Sequence, residues 1–259
     1  MRLDAATYLG AWPFRDLEGT RVGLLAAMKE VQADQALVSP LTAFFHLDPE
    51  PANTRLLKLL KGHANLWAAP VLNPRMSDAT RYLAQLARIP QVRAVRLATG
   101  FQGYPAAQAE EVVRAAAQVG LAAILQLRMQ DERSHAPAFR IPPVPMREAL
   151  DLAARVPDAR LVIAAARLGE VERGELAERV RGLPNVWLDL SHVDGVGTLR
   201  RAQAAVGLER LLFATSWPWF YAQSNALKLF EADLTDHELA LVEGGNAVRA
   251  FALASGEAI

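Results

Sequence analysis

The stretch LLFATSWPWF, Leu211 to Phe220, runs from an unbroken apolar segment into a Trp-Pro turn and then toward a helix. Its first half has the pattern of a strand buried on both faces. Pro218 fixes its own backbone and lacks an amide donor, so regular structure is punctuated there. The segment that follows, YAQSNALKLFEAD, spaces its apolar residues as a helix does. Strand, turn and helix form one unit, and the same unit recurs upstream.

Short apolar segments appear at RLDAATY, QALVSP, LWAAPVL, VRAVRL, LAAILQL, LVIAAA, VWLDL and LLFAT. Between them lie helical patterns such as RVGLLAAMKEV, NTRLLKLLKG, DATRYLAQLARI, AQAEEVVRAAAQV, PMREALDLAARV, GELAERVRG and GTLRRAQAAV. Repeated strand-helix order argues for a parallel sheet. Eight such units match a closed barrel best. An open doubly wound sheet usually carries a glycine fingerprint after its first strand, and TYLGAWPFRD has none. The expectation is an α/β chain forming a single (β/α)8 TIM barrel over residues 1–259. One extra C-terminal helix, DHELALVEGGNAVRAFAL, is expected over an end or flank.

Composition narrows the function classes. Hydrophobic residues make up 52% and charged residues 22%, a globular balance in a chain long enough to bury a core. No cysteine is present, which excludes disulfides, thiolate metal sites and cysteine nucleophiles. Lys plus Arg equals Asp plus Glu at 28 each, so no bulk attraction to nucleic acid or to an anionic membrane is expected. MRLDAATYLG lacks the pattern of a signal peptide, and no apolar run is long enough to span a bilayer. A cytoplasmic protein is the expectation.

In such a barrel, function sits at the C-terminal strand ends and in the loops beyond them. The longest of these loops follows the fifth strand, RMQDERSHAPAFRIPPVP, Arg128 to Pro145. It offers Asp131 and His135, a carboxylate and an imidazole suited to proton transfer, against the bland reading of a solvated charge run. Arg96, Arg128 and Asp189 are charged residues on or beside strands. They read either as an anion-gripping pocket or as internal pairs at the barrel mouth. Asp189, Ser191 and His192 tempt a Ser-His-Asp reading, but alternation along the strand turns His192 away from the other two. Aromatic residues in WPFRD and TSWPWFY fall on the first and eighth loops, where they read as an apolar wall over a ligand, as loop-to-loop packing or as support for an oligomer contact.

These residues resemble the amidohydrolase superfamily, and within it the amidohydrolase-related branch of hydrolases, lactonases and non-oxidative decarboxylases. DAATYLG, Asp4 to Gly10, has the frame of that family's opening acid-Ala-His-x-His-x-Gly strand. NPR at Asn73 to Arg75, LFATSWP in the eighth strand and NAVRAF at Asn246 to Phe251 look like further landmarks. The likeness covers nearly the whole chain. It implies a barrel with a divalent metal at its mouth, yet the expected ligands fall on Ala6, Tyr8, Gln126, the segment Ala164 to Arg167, and Ser216. Alanine offers no donor, and serine, glutamine and a protonated phenol are weak ones. No metal cofactor is therefore expected, and an alternative set such as Asp4, Asp131 and His135 has no motif behind it.

The old ligand frame points Asp4, Tyr8, Gln126, Arg128 and Ser216 into the barrel, and the charged strand residues Arg96 and Asp189 complete the candidate binding set. Three functions follow. The first is a metal-independent or catalytically silent relative that binds a small, anionic molecule at the barrel mouth. The second is an active hydrolase or lyase of small carboxylates or lactones, using Asp131 and His135. The third is a structural partner of an active paralogue. A small-molecule ligand and a homo-oligomer are the expected partners, with neither nucleic acid nor membrane.

Overall fold

The computed structural model describes residues 1–17, 19–136 and 139–253. Its strands in chain order are β1 (Leu3–Leu9), β2 (Gln35–Pro40), β3 (Leu66–Ala68), β4 (Val71–Leu72), β5 (Ala94–Leu97), β6 (Ala122–Gln126), β7 (Leu161–Ala164), β8 (Val186–Asp189) and β9 (Leu211–Leu212). β3 and β4 are one barrel strand, interrupted at Ala69-Pro70 because proline has no amide to give to the ladder. All paired strands are parallel, in the order β1-β2-β3 and β4 through β9.

Two seams close the circuit. Arg93 N donates to Ala68 O at 3.1 Å and Arg96 N to Pro70 O at 2.8 Å, joining β3 and β4 to β5. Ala5 N donates to Phe213 O, Ser216 N to Ala6 O and Tyr8 N to Trp217 O, each at 2.9 Å, joining β1 to the eighth barrel strand. The result is the eight-stranded barrel expected from the repeated units.

The helices that wrap the barrel include α1 (Arg21–Glu30), α2 (Glu50–Leu60) and α3 (Ala79–Leu86). Burial follows the period of two along the strands. In β6, Ala122 and Ile124 pack inside the barrel while Ala123 and Leu125 pack against helices. In β7, Val162 and Ala164 face in and Leu161 and Ile163 face out. The inner apolar layer is sealed from below by Ala247, Ala250 and Phe251, so the C-terminal segment caps the N-terminal end of the barrel. That segment is not one straight helix. Residues 236–240 and 246–251 are α-helical and Leu241–Gly245 between them is a π-helix. A Cβ on Gly244 would stand 2.6 Å from Met1 O, so the chain start packs where only glycine leaves room.

The first strand departs from simple alternation. Its register with β2 shifts between Asp4 and Thr7. Leu3, Ala5 and Ala6 all join the inner cluster, so Asp4 falls out of phase with Ala6 and Tyr8. The shared face expected for Asp4, Ala6 and Tyr8 is corrected accordingly: a local bulge resets the alternation.

Candidate functional site

Above the inner apolar layer the strands end in polar side chains. Gln126 follows Ile124 on the inner face of β6, Arg96 follows Ala94 on β5, Asp189 follows Trp187 on β8, and Ser216 follows Ala214. All four are buried, as is Tyr8 from β1.

Three of them meet directly. Gln126 Oε1 accepts from the Tyr8 hydroxyl at 3.1 Å and also from Arg96 Nη1. Gln126 Nε2 donates to Arg128 O at 2.5 Å, which fixes the amide's orientation. Arg96 Nε donates to Ser39 Oγ at 2.8 Å, and Ser39 stands opposite Tyr8 in the β1-β2 register. The remaining Arg96 nitrogen, Nη2, is buried without a hydrogen-bond partner. Arg96 is 0% exposed, and no carboxylate among the described residues forms an ion pair with it. The Ser216 hydroxyl lies beside Tyr8 but makes no hydrogen bond of good geometry. Ser216 holds a left-handed backbone, φ 53°, as does Ala165 at the end of β7, φ 65°. Such strain at the strand ends gathers where structure is committed to a site.

Both acids at this level are buried. Asp189 Oδ1 accepts three hydrogen bonds, from Ala165 N at 3.1 Å, Ser191 N at 3.2 Å and Ser191 Oγ at 2.7 Å. Burial raises its pKa against the pull of those bonds and of Arg96 nearby. Asp4 accepts from Ala6 N at 3.2 Å, Thr215 N at 2.9 Å and Thr215 Oγ1 at 2.5 Å. Burial nonetheless pushes Asp4 up to about 7. The Tyr8 phenol is pushed up to about 12, again by burial, and is protonated at neutral pH.

Arg128 is an internal pair. Its guanidinium grips Glu170 at 2.7 and 2.8 Å and donates to Ala165 O at 2.6 Å, tying β6 to the loop after β7. Asp131 lies on the long loop and is held by Arg133 at 2.6 to 3.1 Å. Those hydrogen bonds keep its carboxyl well below the usual range. His135 Nδ1 accepts from Ile141 N at 3.4 Å and is not hydrogen-bonded to Asp131. Pro137 and Ala138 of the same loop lie outside the described residues.

Ser191 and His192 carry a correction. β8 ends at Asp189, so strand alternation does not extend to His192. Ser191 Oγ bridges Asp189 and His192 Nδ1, the latter at 3.0 Å, and the three side chains form one hydrogen-bonded row. Burial, then the charges of Arg128, Lys228 and Arg167, push His192 down to about 3. It is neutral across the physiological range. Ser39, Thr215 and Glu170 were not legible as site residues. Ser39 alone left a trace, as the one hydroxyl in the apolar QALVSP strand.

An aromatic cluster packs against Tyr8 above the strand ends. Trp12 contacts Trp219 with ring centroids 4.5 Å apart and Phe101 at 5.6 Å, while Phe44 lies 6.1 Å from Tyr8. The first and eighth loops therefore pack on each other. Trp219 also lines an outer cleft of about 460 Å³, with Arg15, Trp217 and Tyr221.

A closed parallel barrel with its polar side chains gathered at the C-terminal strand ends is the architecture of the barrel enzymes. The sequence model of the amidohydrolase family matches residues 23–253, and this chain belongs to that family. Solved structures agree. A dihydroxybenzoic acid decarboxylase from a Polaromonas species, with bound manganese and the inhibitor 2-nitroresorcinol, is 15% identical with TM-score 0.74, covering 100% of this chain and 98% of that one. A 2,6-dihydroxybenzoate decarboxylase from Rhizobium is 15% identical with TM-score 0.70, covering 97% and 99%. A 5-carboxyvanillate decarboxylase from Sphingomonas paucimobilis is 15% identical with TM-score 0.67, covering 98% and 99%. At these identities the likeness establishes the fold. Comparison with curated protein sequences finds no match.

The donor chemistry here does not fit a manganese-type ion. Among the described residues no group of three or more His, Cys, Asp or Glu side chains converges. The set Asp4, Asp131 and His135 is among those that do not. The buried Arg96 guanidinium at the same strand ends repels a cation as well.

Proposed function

We propose that this amidohydrolase-family barrel holds a small anionic molecule at the C-terminal ends of its strands, gripped by Arg96, without a resident metal ion. The observation that carries the reading is Arg96 itself: fully buried, outside any ion pair, with Nη2 unpartnered. Burying an uncompensated charge is costly, and an arriving oxyanion removes the cost with charge-assisted hydrogen bonds. Tyr8, Gln126 and Ser39 hold the guanidinium in place, and Ser216 offers a further hydroxyl.

A second reading, an active hydrolase or lyase, is favoured by Asp4. This buried carboxyl changes protonation near pH 7, where an acid–base group is most useful. The family's decarboxylases make carboxylates the first substrates to try.

The deciding experiment is elemental analysis of protein purified without added metal, followed by thermal melts with formate, acetate, benzoate and phosphate. The reading expects no near-stoichiometric metal and a rise in Tm with at least one carboxylate. Stoichiometric manganese or zinc overturns it.

A further inference from the structure

The helix Ala222–Glu231 follows the eighth barrel strand, and its inner side is committed to the core. Asn225 Nδ2 donates to Thr215 O at 3.1 Å, Lys228 Nζ donates to Leu190 O at 3.0 Å and to Asp194 Oδ1 at 3.1 Å, and Leu229 is buried. The outer side of a surface helix is ordinarily polar, and this one is not. Leu227 is 62% exposed and Phe230 86%, and a spacing of three makes them neighbours on one face. Tyr221, at the N-cap, is 85% exposed. Gly197 N donates to Glu231 Oε1 at 2.7 Å, which brings Val196, 86% exposed, beside the end of the same helix. Two aromatic side chains this exposed leave on the order of 350 Å² in water. Leu227, Val196 and the half-buried Trp217 and Phe220 extend that area toward the roughly 800 Å² that each partner gives to a standard interface. An apolar patch of this kind marks an interaction surface.

The same face carries a recess and two charges of opposite sign. Tyr221 lines the outer cleft of about 460 Å³ together with Arg15, Trp217 and Phe220. Arg15 donates to Trp219 O at 3.3 Å and forms no ion pair among the described residues. Glu231, at the far end of the helix, forms none there either. We propose that this face binds a second copy of the chain, with the two helices lying antiparallel across a two-fold axis. A two-fold contact must be complementary to itself. Tyr221 and Phe230 stand about 14 Å apart along the helix. Antiparallel pairing therefore sets Phe230 of one copy against the cleft rim at Trp217 and Tyr221 of the other. It also brings Glu231 of each copy to Arg15 of its mate, and Leu227 close to the axis. The exposed rings are covered and both charges find a partner of opposite sign. This surface lies outside the buried strand ends, so the inference stands independently of the anion reading.

The test is analytical ultracentrifugation of the full-length protein at about 50 μM, above the micromolar limit for an interface of this size. The wild type is expected to sediment at twice the 28.2 kDa mass of the chain. Phe230→Glu is expected to weaken the dimer at least about a hundredfold, because a substitution at a two-fold contact counts twice. Val119→Glu, at an exposed apolar position on another face, is expected to leave it intact. Arg15→Glu and Glu231→Arg are each expected to weaken the dimer, and the double variant to restore it. All four positions are exposed, so the variants keep the fold. A wild type that sediments as a monomer overturns the proposal and leaves the face to a different protein. A dimer indifferent to Phe230→Glu, or a double variant no tighter than its two parents, overturns it as well by placing the two-fold elsewhere.

Discussion

The Arg96 guanidinium lies 5.0 Å from the centroid of the Tyr8 ring, and both side chains converge on the same oxygen, Gln126 Oε1. The phenol is protonated and Gln126 is neutral, so this company orients the guanidinium without neutralising it. Replacing Arg96 by Met removes a buried charge that no acid among the described residues meets in an ion pair. Ligand-free Arg96→Met is expected to melt within about 4 °C of wild type or above it, a window of roughly 1 kcal/mol for a domain of this size. A larger fall, read by calorimetric melting, would mean that the guanidinium is a structural keystone instead.

Gln126→Glu makes the opposite change. A carboxylate at the point where Arg96 Nη1 already donates supplies the missing counter-charge from within. The variant is expected to fold and to lose the thermal response to acetate. Retention of that response would separate the anion site from Arg96.

Two buried groups set opposite pH trends. Asp4 has its folded pKa raised from 3.8 to about 7, so its contribution is fully present below about pH 3.8 and lost as pH rises through about 7. His192 is lowered from 6.5 to about 3, so its contribution is present above about pH 6.5 and lost as pH falls toward 3. Urea melts at several pH values are expected to show Asp4→Asn gaining on wild type as pH rises from 4 to 8. They are expected to show His192→Gln gaining on wild type as pH falls from 7 to 4. A constant offset at every pH would count against either assignment.

The Arg128–Glu170 grip ties the end of β6 to the loop after β7. Glu170→Ala removes a bidentate carboxylate from an almost fully buried guanidinium. The expected cost is about 2 kcal/mol, with Tm falling about 6 °C. No change in Tm would mean that Ala165 O alone suffices to hold the arginine.

Trp219 belongs both to the aromatic cluster and to the outer cleft. Trp219→Ala is expected to open the buried strand-end residues to that cleft and raise the association rate of acetate in stopped-flow measurements, with dissociation accelerated as well. An unchanged association rate would place the access route elsewhere.

Some of this was legible from the residues. The barrel followed from repetition: eight apolar segments separated by helical ones, with each strand's alternation visible in runs such as AAILQ. Part of the polar layer followed from the same alternation, which carried Gln126 and Ser216 to the inner face, while Arg96 and Asp189 stood out only as charged residues on strands. Two local departures broke it, the slip between Asp4 and Thr7 and the strand end at Asp189, because a bulge and a turn each reset the period. Asp131 and His135 looked like a pair by proximity in sequence, but Arg133 takes the carboxylate two residues on.

The order of strands and helices, and the face to which side chains turn wherever a strand runs unbroken, are properties of local pattern, and the sequence by itself determined them. Which side chains share an oxygen, which charges find a partner and which are left without one depend on contacts between distant strands. Arg96 meets Ser39 across 57 residues and Gln126 across 30, and Asp4 meets Thr215 across 211. Only the closed barrel brings such residues within hydrogen-bonding distance, so the tertiary structure alone decided that Arg96 is buried outside any ion pair.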